Sequence, residues 1–180
     1  MKPGNDDAFA APVKEVKDEA GTKGLEVTFR VPVPPDALLA ILWDTSHFGR
    51  LYPDILEVRR VAGNDGDDSF DLAYRVNAVI KEVAYVLRRS IDREARLISW
   101  REVSGDLRRV RGAWRVTPAL DGSSSELTYS AFVDVGRFIP TALVRDAAIR
   151  KLGEMMARVR KVTTELHAQA AGAGAHEATS

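Results

Sequence analysis

The chain has 180 residues, and its content of 45% hydrophobic and 29% charged residues is typical of a globular protein and excludes a wholly disordered chain. Lysine and arginine total 26, as do aspartate and glutamate, so no global charge favours nucleic acid as the main partner. The absence of cysteine excludes disulfide frameworks, thiolate metal sites and cysteine nucleophiles, and only three histidines argue against a metal site.

The two ends of the sequence lack the patterns of its middle. Residues 1–23 are polar without a sustained period, and residues 168–180 are rich in glycine and alanine, so both are predicted to be flexible tails around one domain at residues 24–167. No apolar run reaches the ~18 residues of a membrane span. The first twenty residues lack the apolar centre of a secretory signal, which predicts a cytoplasmic protein unless a signal has been removed.

The first predicted elements are a strand and two short helices. Residues 25–31 alternate between apolar and polar side chains, which predicts a half-buried strand that the following prolines end. Pro35 suits the first turn of a helix, and the apolar run at residues 36–43 predicts a helix there. Residues 44–52 predict a second short helix, which Pro53 stops.

The rest of the chain predicts strands followed by one long helix. Between residues 55 and 135, alternating segments are separated by turn signals such as Asp121-Gly122, which predicts an antiparallel meander of six strands. With the first strand they make a seven-stranded sheet. Residues 139–168 predict an amphipathic helix that must bury its apolar stripe against this sheet. The stripe consists of Ile149, Leu152, Met156, Val159, Val162 and Leu166.

Several segments, in this order and at these separations, are typical of one superfamily. They are VPPDALLAILWD at residues 33–44, YPD at 52–54, RLISW at 96–100, GAWRVTP at 112–118, ELTY at 126–129, and the helix that opens at Ile139-Pro140. The chain thereby resembles the START-like (SRPBCC) superfamily, and within it the polyketide cyclase/dehydrase and coenzyme Q-binding families. The resemblance implies an α+β helix-grip fold, in which a curved seven-stranded antiparallel sheet wraps around the C-terminal helix. Members bind lipids, sterols, quinones or polyketides between sheet and helix, and some are enzymes.

Small side chains early in the helix, such as Ala147, Ala148 and Gly153, fit either close packing on the sheet or a gap beneath the helix. The resemblance favours the gap, and we expect it to hold an apolar ligand. The side chains predicted to line it are mostly large and apolar or aromatic, although each aromatic taken singly also fits an ordinary core. They are Tyr74, Val76, Tyr85, Leu87, Trp100, Trp114, Tyr129, Leu152 and Met156.

Three side chains are candidates for acid or base catalysis: His47, Glu102 and Tyr74. His47 lies three residues after Asp44, a spacing compatible with a general base, but we favour Asp44 or Ser46 as a helix cap and His47 as a surface residue.

Glu102 shares one strand face with Trp100, so it would point into the cavity if Trp100 does. A buried carboxylate there would act as an acid or orient a ligand. The favoured alternative places Glu102 at the strand end in water, or pairs it with an arginine such as Arg89.

Arginines form the one local concentration of charge. Arg109, Arg111 and Arg115 share a parity on one predicted strand and are expected to project from the convex side of the sheet. Such a face could dock an acidic partner, a lipid head group or RNA, but a solvated face is the favoured interpretation.

Three functions are compatible with these patterns. The first is a module that binds a hydrophobic small molecule without a cofactor or metal. The second is a cyclase or dehydratase acting on a polyketide-like substrate, which predicts at least two polar groups converging in the cavity and a perturbed carboxylate among them. The third is an interaction protein that uses the arginine face, which predicts a core filled by side chains. Peripheral contact with a membrane remains open under each.

Overall fold

The computed structural model describes residues 11–64, 66–78, 81–134 and 141–177, and for 141–144 and 174–177 it describes only the backbone. One antiparallel sheet contains the eight strands found among these residues. The strands are β1 (Lys14–Lys17), β2 (Lys23–Val31), β3 (Ile55–Ala62), β4 (Ser69–Asn77), β5 (Glu82–Asp92), β6 (Leu97–Gly105), β7 (Arg108–Pro118) and β8 (Ser125–Asp134). Their order across the sheet is β1-β2-β8-β7-β6-β5-β4-β3, so β3 to β8 form the predicted meander and β2 joins it beside β8.

Helices cover one side of this sheet. Helix α1 (Pro35–Trp43) has proline in its first turn, where the missing N–H is not needed, and it buries Leu38 and Leu42. A 3₁₀ turn (Thr45–His47) leads into the short helix α2 (Phe48–Leu51). Helix α3 (Thr141–Glu177) is the predicted long helix.

Strand alternation separates the two faces of the sheet. On β5, for example, Leu87 and Arg89 are buried on the face toward the helices, while Arg88 between them is exposed on the other face. Register shifts interrupt the pairing of β3 with β4, of β5 with β6 and of β7 with β8, and such bulges bend strands. The inner face therefore follows a curve that leaves room beneath the helices.

Two apolar clusters hold the layers together. The larger cluster packs α1 and the middle of α3 on β2, β6, β7 and β8, with Leu42, Met156 and Val159 fully buried. The smaller cluster lies between α2 and strands β4, β5 and β7, around Phe48 and Leu72. Trp43, Tyr52 and Trp100 pack against both clusters, and side chains from both clusters line one cavity.

Two expectations about the ends of the chain are wrong in part. The segment 1–23 was predicted to be a tail, but β1 pairs with β2, and a turn in which the Asp18 carboxylate accepts a hydrogen bond from the backbone N–H of Thr22 closes the hairpin. The sheet thus has eight strands instead of seven. Helix α3 continues to Glu177 through a segment predicted to be flexible, because alanine has the highest helix propensity and the glycines between do not end it.

Candidate ligand-binding site

The inner face of the sheet and the helices enclose a deep compartment of about 310 Å³. Each strand from β4 to β8 contributes at least one aromatic or apolar side chain to its wall, α2 and the turn after it cover one side, and α3 covers another. The lining residues are Phe48, Tyr52, Pro53, Asp54, Ile55, Tyr74, Val76, Asn77, Ala78, Tyr85, Leu87, Arg89, Trp100, Trp114, Tyr129, Lys151 and Met155.

A second, outer compartment of about 750 Å³ lies between α3 and strands β1, β2 and β8. Tyr129, Lys151, Met155 and Asp54 line both compartments, so the two spaces adjoin at these side chains. Each of the two falls in the size range of small-molecule sites, about 300–1,000 Å³. Residues specific to the outer compartment are Glu15, Val16, Lys17, Lys23, Gly24, Leu25, Ala131, Val133, Arg145, Ala148 and Leu152.

Ion pairs tie the first half of α3 to both rims of the cavity. The Lys151 ammonium donates to the Asp54 carboxylate at 3.0 Å and to the backbone carbonyl of Asn77 at 3.3 Å. On the other rim, the Arg145 guanidinium donates to Glu15 of β1. These ion pairs therefore sit at the partly exposed rims, and the deep wall is mainly aromatic.

All four tyrosines of the chain line the deep compartment. The rings of Tyr74 and Tyr85 stack with centroids 5.6 Å apart, and Tyr129 contacts Trp114 at 4.6 Å. Burial raises the pKa of Tyr52, Tyr74 and Tyr129, and it raises the pKa of Tyr85 to about 12. At neutral pH the wall thus presents uncharged phenols, which are donors and acceptors but not bases.

The raised tyrosine pKa values make a prediction about alkaline stability. An unfolded tyrosine titrates near 10.0 and folded Tyr85 near 12, so between these values the folded state keeps a proton that the unfolded state releases. The contribution of Tyr85 to the free energy of unfolding is complete below pH 10 and is lost as the pH rises toward 12. Urea unfolding across this range is expected to show a steeper loss of stability in the wild type than in Tyr85→Phe. Equal slopes, or phenolate absorbance from the folded protein at pH 10, would contradict the burial argument.

Arg89 is a buried cation in the same wall, with only 3% of its surface exposed. One terminal nitrogen donates to the carbonyl of Leu42 at 3.0 Å and the other lies 3.5 Å from the carbonyl of Trp43, at the C-terminal end of α1. Its guanidinium carbon lies 4.7 Å from the ring centre of Phe48 and 5.1 Å from that of Trp43. Burial lowers the pKa of Arg89, yet a guanidinium stays protonated at neutral pH.

No carboxylate within the described part of the chain forms an ion pair with Arg89, and Glu102 does not pair with it. The carboxylate of Glu102 instead accepts a hydrogen bond from the backbone N–H of Val110 at 3.2 Å, beside the bulge of β7. This contact stabilises the bulge, and Glu102 lines neither compartment.

The other sequence candidates have distinct positions. The side chain of His47 lies 3.5 Å from Asp44, outside the cavity, and Asp44 caps the 3₁₀ turn by accepting from the N–H of Ser46. Met156 is fully buried in the larger cluster and does not line the cavity, whereas its neighbour Met155 does. The remaining predicted liners are at the wall: Leu152 in the outer compartment, and Tyr74, Val76, Tyr85, Leu87, Trp100, Trp114 and Tyr129 in the deep one. That any of them binds a ligand or acts in catalysis stays a prediction.

Sequence reasoning did not assign Arg89, Tyr52, Asp54 or Lys151 to the cavity. A signal existed for Arg89, which alternates with Leu87 on the buried face of β5. Asp54 follows α2, and Lys151 lies on α3. Whether their side chains meet depends on how α3 crosses the sheet, and no local sequence pattern indicates that crossing.

Two arginines of the outer face, Arg88 and Arg111, are held in ion pairs. Arg88 donates to Asp71 through two nitrogens at 2.8 and 2.9 Å, and Arg111 pairs with Asp18. Arg109 has φ of 52° within the bulge of β7, so the predicted alternation of Arg109 with Arg111 and Arg115 is interrupted there. The cavity between the sheet and the helices also differs from the filled core that an interaction protein predicted.

Among the residues with described positions, no group of three or more histidine, aspartate or glutamate side chains could hold a metal ion. Within those same ranges, no helix combines the length and apolar character needed to cross a membrane.

Comparisons with known proteins place the chain among proteins of this shape. A family model described as polyketide cyclase/dehydrase and lipid transport matches residues 23–168. No curated protein is similar enough in sequence to be matched with the chain.

Solved structures share the fold at low sequence identity. A START superfamily protein from Mycobacterium smegmatis is 19% identical with a TM-score of 0.67, covering 79% of this chain and 97% of that one. A STAR-related lipid transfer protein from Xanthomonas axonopodis is 15% identical with a TM-score of 0.67, covering 91% and 96%. The Zhui aromatase/cyclase from Streptomyces sp. R1128 is 17% identical with a TM-score of 0.65, covering 88% and 98%. The predicted helix-grip fold is thereby confirmed.

Proposed function

Because the chain belongs to the polyketide cyclase/dehydrase and lipid transport family, we propose that it binds a hydrophobic small molecule in the cavity between the sheet and α3. The observation that carries this proposal is the pair of adjoining compartments, about 310 and 750 Å³, walled mainly by aromatic and aliphatic side chains. Burial of ~300 Å² of apolar ligand surface at ~25 cal/mol/Å² contributes about 7.5 kcal/mol before the losses of association, so apolar burial supplies a large favourable part of the free energy of binding.

Binding is favoured over catalysis by the nature of the polar groups. The carboxylates found in the described lining are Asp54 and Glu15, and both are held in ion pairs at the rims. The deep wall presents neutral phenols and the Arg89 cation, which can orient a ligand by donating hydrogen bonds but cannot remove a proton from it at neutral pH.

A cyclase or dehydratase is the second candidate, and one observation favours it. Arg89 and the phenols of Tyr74 and Tyr85 converge on the same compartment, so a substrate carbonyl placed there would have its developing negative charge stabilised. The base would then have to come from the substrate or from a water molecule.

The proposal can be tested by closing the deep compartment. Val76→Trp places an indole in the space that a ligand would take, and the variant is expected to bind the neutral fluorescent probe N-phenyl-1-naphthylamine at least tenfold more weakly than the wild type. Val103→Trp is the matched control, because Val103 is 47% exposed and lines no described compartment.

Native mass spectrometry of both variants from the same host provides an independent readout. A molecule that copurifies with the wild type and with Val103→Trp should be absent from Val76→Trp. Equal probe binding by all three folded proteins would rule out the cavity as the binding site.

A further inference from the structure

Among the described residues, no anion pairs with the charge of Arg89. A guanidinium has five N–H donors, and the carbonyls of Leu42 and Trp43 occupy only one or two of them. The rings of Phe48 and Trp43 cover its faces, but among the described residues no carboxylate pairs with it. Donors therefore remain at the wall of the deep compartment, which Arg89 lines.

Burial of a guanidinium without a carboxylate partner destabilises the folded protein unless other groups compensate its charge. Removing a cation from water costs several kcal/mol, and the negative end of the α1 dipole, two carbonyl oxygens and two aromatic faces recover only a part. The phenols around Arg89 are neutral at physiological pH and supply no charge. Asp54, the carboxylate in the described lining of the deep compartment, is bound by Lys151 at the rim.

We propose that the ligand is an apolar molecule with a single carboxylate, and that this carboxylate binds Arg89 at the inner end of the deep compartment; this inference rests on the proposed function. One negative charge balances one buried cation, whereas a phosphate dianion would leave an uncompensated charge in the same apolar surroundings. The planar fork of a guanidinium also matches the two oxygens of a carboxylate. The apolar part of the ligand then extends along the aromatic wall toward Tyr129 and Met155 and into the outer compartment.

The test compares two probes with the same carbon skeleton: 2-naphthylacetic acid, whose carboxylate is ionised at neutral pH, and 2-(2-naphthyl)ethanol, which ends in a neutral hydroxyl group. Isothermal titration calorimetry on the full chain is expected to give at least tenfold tighter binding of the acid. Arg89→Gln should weaken the acid at least tenfold and change the alcohol by less than about twofold. Arg115→Gln, which removes an exposed arginine from the other face of the sheet, should change neither.

Salt provides a readout that does not depend on the folding of Arg89→Gln. A buried cation is screened little, so the preference for the acid should persist between about 20 mM and about 500 mM NaCl. Loss of the preference in high salt would assign it to the exposed lysines of the outer rim, such as Lys17 and Lys23, and would overturn the inference. Arg89→Lys, which keeps the charge and can still donate to the α1 carbonyls, should retain a reduced preference.

The two probes separate the inference from the function it rests on. Equal binding of acid and alcohol would overturn the role of Arg89 and leave the cavity as an apolar binding site. Failure of both probes to bind would count against the proposed function and against the inference with it.

Discussion

Met156→Ala is expected to lower the free energy of unfolding by about 2–5 kcal/mol, the largest effect that we predict for a side chain of α3. Met156 is fully buried and packs in the cluster that joins α3 to α1 and the sheet. Its removal leaves an enclosed void among side chains that cannot collapse into it. Urea unfolding followed by circular dichroism measures the change.

Met155→Ala is the matched control, because the same atoms are removed one position away. Met155 borders both compartments, so its truncation enlarges an existing space and is expected to cost about 1 kcal/mol or less. The two variants should have the opposite order of effects on binding. Met155→Ala should lower the affinity for N-phenyl-1-naphthylamine several-fold, whereas folded Met156→Ala should keep the wild-type affinity. If Met155→Ala proved the more destabilising of the two, the orientation of α3 described above would be wrong.

Gly112→Ala is expected to destabilise the protein by about 3 kcal/mol, since the added methyl group has no space. A Cβ at residue 112 would lie 2.5 Å from the ring of Trp100 and even closer to the carbonyl oxygen of Ser130 on β8. Relief requires the indole to move, and Trp100 lines the deep compartment. Probe affinity should therefore fall together with the unfolding midpoint.

Gly153→Ala makes the same change with the opposite expected sign. Nothing lies within 4 Å of a Cβ at residue 153 in the middle of α3, so alanine should raise the free energy of unfolding by about 0.5–1 kcal/mol through its higher helix propensity. If both glycine variants were destabilised to a similar extent, the contact with Trp100 would not be the cause of the Gly112 effect.

The sequence predicted the sheet more completely than the positions around α3. Alternation along a strand decides which side chains share a face, and Tyr74, Tyr85, Trp100 and Trp114 were placed at the cavity on that basis and on the resemblance. β1 was not predicted, because Val16 is the one apolar residue among its four positions. The pairing of β1 with β2 depends on backbone hydrogen bonds.

Residues on a helix are harder to assign from sequence. Met155 and Met156 are separated by about 100° around the axis, and both fit the edge of an apolar stripe. Which of them faces the cavity depends on the crossing of α3 over the sheet. The partner of Arg89 was also not predictable from the sequence. A charged residue that faces the core suggests an oppositely charged partner, and Glu102 was a candidate for it. The hydrogen-bond partners found for Arg89 are main-chain carbonyls of α1.

The wall of the deep compartment is built so that its chemistry and its scaffold can change independently. Tyr74, Tyr85, Trp100, Trp114 and Tyr129 come from five different strands, while the ladders that join those strands use only main-chain atoms. A substitution at one of these positions alters the shape or polarity of the chamber without breaking any ladder hydrogen bond. Over evolutionary time, such a protein can change its ligand through substitutions in the wall that keep the pairing of its strands.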